Sequence, residues 1–226
     1  MRGGREEPVY FALIGDVVGS RELEDRAAIQ RKLEKALESL NEEMRGTDAL
    51  TSPIKLTAGD EVQGLLRDAA RAVDIVVRIA DDLHPISVAW GLGAGPISTD
   101  LGKDVALLDG PCFHHARDAV TAAGEQGAWL RTGGLPEPHG ESVSALFRLM
   151  GAVRSRWKPA QVRYIRAVRG HLQKEVAEIH DVDESTVSKA LQAARFRAVE
   201  EGEAAARTLL SWVTHAVQEP IEGDGG

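Results

Sequence analysis

Val9-Tyr10-Phe11-Ala12-Leu13-Ile14 is a short apolar run closed by Gly15-Asp16, the pattern of a buried strand. Over residues 21–44, Leu23, Ile29, Leu33, Ala36, Leu37 and Leu40 recur at helical spacing and predict a long amphipathic helix. Two short apolar runs, 54–57 and 62–66, flank Ala58-Gly59-Asp60-Glu61 and predict a hairpin. Residues 68–83 place Ala69, Ala72, Val73, Val76, Ile79 and Ala80 on one helical face, and Pro85 closes that helix. Residues 86–92 read as another strand, ended by Gly93 and Gly95-Pro96. The succession strand–helix–strand–strand–helix–strand is the ferredoxin-like βαββαβ arrangement. A further helix is expected over 113–123, a fifth strand over 128–132, and a loop over 133–140. Residues 142–157 are expected to bridge to a second unit, and no internal repeat is present.

The second unit has the pattern of a helix-turn-helix. Helices are predicted over 159–170, 172–180 and 184–198, with Pro159 in a first turn and Asp183 as an N-cap. The turn is His180-Asp181-Val182-Asp183. Ala177 is the small residue needed where the helices cross, Val182 the apolar plug, and Val187 and Leu191 the anchors of the recognition helix. Asp181 takes the place where glycine usually supplies a left-handed backbone. The exposed face would then carry Ser185, Thr186, Ser188, Lys189 and Gln192, groups suited to phosphates and base edges in a major groove. Arg163, Arg166, Arg169, Lys174, Arg195 and Arg197 would hold phosphates beside it. The stretch 174–188 resembles the helix-turn-helix of sigma-factor region 4; a plain helical packing module is the alternative. Residues 204–213 continue as a helix with apolar positions left over, either a homodimer seam or a cap on this unit.

Charge sharpens this division. The chain of 226 residues carries 27 Lys and Arg against 35 Asp and Glu, a net of -8. Residues 1–150 hold 16 basic and 24 acidic side chains, whereas residues 151–200 hold 10 and 6. A basic block in an acidic protein marks a candidate polyanion-binding face. Cys112 is the only cysteine, which excludes a disulfide framework and cysteine-based zinc sites. No apolar run reaches the ~18 residues of a membrane span, and no signal peptide is recognised, so a soluble cytoplasmic protein is expected.

Asp16 and Asp60 each follow a glycine at a strand end. In a βαββαβ sheet the first and third strands are neighbours, so the two carboxylates fall on one edge. Paired carboxylates there suit Mg²⁺ with phosphates completing its shell, and turn chemistry alone is the other reading. Gly15 and Gly19 permit close approach of a ligand, and Ser20, Arg21, Gly59 and Glu61 complete the candidate ligand-binding set.

Phe11-Ala12-Leu13-Ile14-Gly15-Asp16-Val17-Val18-Gly19-Ser20-Arg21 is followed by Thr57-Ala58-Gly59-Asp60-Glu61-Val62-Gln63-Gly64. Then come Gly91-Leu92-Gly93-Ala94-Gly95, and Asp109-Gly110-Pro111-Cys112-Phe113 with Ala116-Arg117. These four ordered blocks resemble the SatD family over about residues 8–132. That family in turn looks like a shortened relative of class III nucleotide cyclases, whose two strand-end aspartates bind metal ions on a nucleoside triphosphate. The resemblance implies that role for Asp16 and Asp60. The asparagine and arginine that stabilise the cyclase transition state would fall on His114 and Asp118, with Arg117 one residue out of register. The purine-reading lysine falls on Leu56, with Lys55 displaced.

The fold class expected is therefore α+β: a cyclase-like, ligand-sensing domain over 1–141 and an all-α helix-turn-helix domain over 142–226. The function expected is a DNA-binding transcriptional regulator that senses a nucleotide with Mg²⁺, reads double-stranded DNA and acts as a homodimer. An active nucleotide cyclase or phosphohydrolase is the alternative, disfavoured by the missing asparagine and arginine. A vestigial interaction module is the third reading.

Overall fold

In the computed structural model, residues 7–20, 25–47, 50–57, 60–102 and 104–218 are described. The chain runs β1 (Tyr10–Val17), α1 (Arg26–Glu43), β2 (Leu50–Leu56), β3 (Glu61–Leu66), α2 (Arg71–Leu83) and β4 (Val88–Gly95). It continues through α3 (Pro111–Gln126), β5 (Leu130–Gly133), α4 (His139–Arg154), α5 (Pro159–Val168), α6 (Gln173–Ile179), α7 (Glu184–Ala193) and α8 (Phe196–Gln218). The five strands form one sheet in the order β2-β3-β1-β4-β5. β1 lies between β3 and β4, antiparallel to both, and β5 adds a parallel edge.

Alternation along β1 divides the core. Phe11, Leu13 and Val17 join the layer that holds α1 and α2, whereas Tyr10, Ala12 and Ile14 join the layer that holds α3. Successive side chains of a strand point to opposite faces, so one eight-residue strand serves both layers. Helix α3 lies very close to β4. A methyl group added at Gly91 or Gly93 would run into the backbone of Ala116, Val120 and Cys112. Those glycines are therefore a helix-packing groove.

The segment expected to bridge two units is instead mostly helical. Helix α4 packs against β5 and α8, and the boundary expected at 141/142 falls inside its first turn. A continuous buried cluster runs from Phe11 and Val73 through Phe147 to Val199 and Val213. Helix α8 spends its apolar face within the chain: Ala206, Leu210 and Val213 are buried, and the Thr214 hydroxyl accepts from the Ala69 N–H at 3.0 Å. Within the stretch considered as a dimer seam, Ala206, Leu210 and Val213 thus face inward, whereas Ala204, Ala205, Thr208 and Trp212 (58% accessible) are exposed. No helix among the described residues is long and apolar enough to cross a membrane.

Candidate functional site

The three helices α5, α6 and α7 pack through the small and apolar residues picked out above. Ala177, Val187 and Leu191 are buried, and Val182 is half-buried against the same cluster. The Val182 N–H donates to the Ala177 carbonyl at 3.0 Å and closes the corner. Asp181 adopts φ 51°, the left-handed conformation expected of the turn. With Val187 and Leu191 turned inward, the other face of α7 is free: Ser185, Thr186, Ser188, Lys189 and Gln192 are all exposed, as is Lys174 on α6.

Two expectations for this unit need correction. The third helix does not reach residue 198. It ends at Ala193, and Arg195 breaks the chain at φ 54° before α8 begins. Arg195 is therefore exposed at a kink beyond α7. The Trp157 indole pins this break by donating to the Ala194 carbonyl at 2.7 Å. Secondly, Arg169 is not available to phosphate. Its guanidinium donates to Asp81 at 2.5 Å and to both oxygens of the buried Glu203 at 2.9 Å. Burial pulls this guanidinium down, but Glu203 and Asp81 outweigh it and hold the group above its ordinary range. Arg166 is paired with Asp82 at 2.6 Å.

The two aspartates lie at one end of the sheet. Asp16 is directly opposite Glu61 in the β1–β3 register, so Asp60 is one residue diagonal to it. Directly paired Cα atoms lie about 4.5–5.5 Å apart. Asp16 is exposed and continues the alternation of Ala12 and Ile14 toward the α3 side. Asp60 lines a small cavity on the α1 side together with Val17, Ser20, Arg26 and Leu33. The Asp60 Oδ2 atom is buried there without a hydrogen-bond partner. Among the described residues, no group of three His, Cys, Asp or Glu side chains is placed to hold a metal by itself. A cation at Asp60 would thus need ligands from water and phosphate, as Mg²⁺ ordinarily takes them.

The remaining site residues divide. The space above Gly15 is filled by the Trp90 indole, with Cζ3 only 2.6 Å from where a Cβ would sit, so on this face its missing side chain serves packing. Gly19 is left-handed at φ 68° with open space around it. Glu61 accepts from the neighbouring Gln63 amide and meets Arg117 at 3.8 Å. Arg21 and Gly59 lie outside the described residues. Sequence register had set Arg117 aside, yet the close α3–β4 packing carries it to the hairpin. Lys55 is engaged with Asp104 at 2.6 Å.

These features define a mixed α and β protein in which a five-stranded sheet and a set of packed helices share one core. The chain belongs to the SatD family, whose profile matches residues 10–210. The match extends beyond the four blocks near the N-terminus and through most of α8, so the helical region is part of what defines the family. Among curated proteins no relative matches. Among solved structures, the regulator of polyketide synthase expression from Bifidobacterium adolescentis is similar at 14% identity. That match covers 94% of this chain and 82% of the other, with a TM-score of 0.25, a likeness too low to carry an argument.

Proposed function

We propose that this protein is a DNA-binding transcriptional regulator in which α5–α7 act as a helix-turn-helix and α7 enters the major groove. The observation that carries this reading is the division of α7. Val187 and Leu191 are buried behind a left-handed Asp181 corner, while five polar side chains stand exposed opposite them. Beside Glu184, that outer face carries hydroxyl, amide and amine groups, which suit phosphates and base edges. Thr186, Ser188 and Gln192 would read base edges, and Lys174, Lys189 and Arg195 would hold phosphates. Reading two half-sites would take a homodimer.

The sheet unit, ferredoxin-like in its strand order, would take a nucleotide with Mg²⁺ in this reading. Asp60 would supply a carboxylate oxygen, Asp16 on the other face of the same sheet end would add negative charge nearby, and Ser20 and Gly19 would face the phosphates. The unpartnered Oδ2 of Asp60 supports the assignment. The bound cation would neutralise phosphate charge beside these carboxylates.

Fluorescence anisotropy with a duplex from the gene's own promoter tests the regulator reading. Lys174→Ala or Arg195→Ala is expected to weaken binding to all sequences and to flatten the salt dependence by about one unit per phosphate contact. Thr186→Ala, Ser188→Ala or Gln192→Ala is expected to cost about 1–3 kcal/mol at the preferred site only. Absence of salt-sensitive binding at about 50 mM salt, with and without nucleotide, would sink the reading.

A further inference from the structure

A cleft of about 680 Å³ opens where the C-terminal end of α2 meets α5 and the end of α6. That volume lies within the range of about 300–1,000 Å³ typical of small-molecule sites. Its lining is dominated by cations and imidazoles: Arg78, Arg163, Arg166, His84, His171 and His180. Arg169, Asp81 and Asp82 lie at its base, so four guanidiniums face two carboxylates. The other acids that touch these groups, Glu43 on Arg78 and Glu203 on Arg169, are not part of the lining. Counted with those acids and with Arg154, which shares Asp81, five guanidiniums meet four carboxylates, so one positive charge is in surplus inside a chain whose net charge is -8.

The surplus is not spread evenly. Both carboxylates are already taken, Asp82 by Arg78 at 2.8 Å and Arg166 at 2.6 Å, Asp81 by Arg154 at 2.7 Å and Arg169 at 2.5 Å. Arg163 has no carboxylate partner among the described residues. It lies 5.0 Å above the Tyr164 ring and donates only to the Tyr164 hydroxyl, at 3.1 Å. One turn of α5 separates Arg163 from Arg166, and both line the same wall. Burial, and after it the nearby Arg154 charge, push the His84 imidazolium below its ordinary range.

We propose that this cleft is a binding site for a small phosphate ester, held by the unpaired Arg163 and by the N–H groups that Arg166 does not spend on Asp82, with His171 and His180 beside them. A guanidinium fork matches the geometry of a phosphate group. A free phosphate ion would leave most of the volume empty, whereas a phosphorylated metabolite fills it. No residue of α7 lines the cleft. The ligand would thus sit behind the proposed DNA face and tie α2 to α5 and α6. Binding itself does not depend on whether α7 reads DNA.

Calorimetric titration of the full chain with ribose 5-phosphate, inorganic phosphate and unphosphorylated ribose, at constant ionic strength and in EDTA, tests this. EDTA removes any contribution from a magnesium site at Asp16 and Asp60. Ribose 5-phosphate is expected to bind, and ribose is not. Arg163→Ala is expected to weaken binding about 10- to 100-fold, the loss of a charged hydrogen-bonding partner, and Arg163→Lys to recover part of it. Arg163 is exposed and outside any ion pair, so the variant keeps its fold, which an unchanged melting temperature without ligand would verify. Equal affinity for inorganic phosphate would support the anion site and assign it to the free ion. Absence of binding by either phosphate up to about 10 mM would overturn the proposal, as that concentration reaches the weakest specific affinities. So would undiminished phosphate binding by Arg163→Ala. Loss of duplex affinity in that variant, with no small anion bound by the parent, would overturn it in favour of a DNA-backbone contact.

Discussion

Cys112 illustrates how a residue's surroundings decide its chemistry. It sits at the start of α3, where a helix N-terminus ordinarily favours a thiolate. Burial wins, and the thiol is pushed up to about 12. A thiol held that high is protonated throughout the neutral range and becomes nucleophilic only near its pKa. Native protein at pH 8 is expected to resist iodoacetamide, and protein unfolded in guanidinium to react at once. Rapid labelling of the folded chain would show that Cys112 is accessible. Asp181 and Arg195 make a related point about backbone. Both are non-glycine residues in the left-handed region, and each marks a place where one helix stops and the next changes direction. The first was legible from the turn's position between two apolar patterns. The second was not, because nothing in the local sequence of 184–198 interrupts the helical period.

At the scale of elements, the contact between α3 and β4 is the tightest feature of the sheet unit. Gly91 and Gly93 let the backbone of α3 approach β4 with no side chain between them. Gly91→Ala is expected to destabilise the protein by about 3 kcal/mol or more, the upper end of overpacking costs, since the obstructing atoms belong to backbone and cannot rotate away. Chemical denaturation of the variant checks this. A neutral effect would mean that α3 slides along the strand. The same packing explains Arg117: the helix axis is held near enough to β1 and β3 for that side chain to reach Glu61.

At the scale of the molecule, a buried ionic network joins the layers. Asp81 on α2 receives Arg154 of α4 and Arg169 beyond α5, and Arg169 continues to Glu203 on α8. Arg154 is sandwiched between the rings of Trp129 and Trp157, at 4.4 Å from each. Burial lowers this guanidinium, and the Asp81 charge offsets part of that penalty. Removing one member leaves an uncompensated charge inside. Glu203→Ala is therefore expected to cost about 3–5 kcal/mol, and pairing it with Arg169→Met to recover much of the loss. Because the core is continuous across the sheet and the helices, calorimetry of the parent is expected to give one transition. Two separate transitions would indicate two independent folding units.

The order of elements, the alternation of β1 and the left-handed corner between α6 and α7 were legible in the sequence. Each depends on periodicity and on residue types close together in the chain: a two-residue alternation, a helical repeat, or an apolar plug beside a left-handed position. The positions of Asp16 and Asp60 at one sheet end also followed, since strand adjacency in a βαββαβ succession is a matter of order. What only the tertiary structure decided depends on residues far apart. The arginines at 163, 166 and 169 look alike along the helix predicted over 159–170, as a basic stripe. They differ because α2 and α8 bring Asp82 to Arg166 and Asp81 with Glu203 to Arg169, and bring no carboxylate to Arg163 among the described residues. Residues 142–157 read as a bridge because their hydrophobic partners lie on β5 and α8, one nearby and one some sixty residues on. Sequence patterning ranks positions by what they prefer to bury, whereas long-range pairing determines which charge meets which, and that sets the roles of the buried cations here.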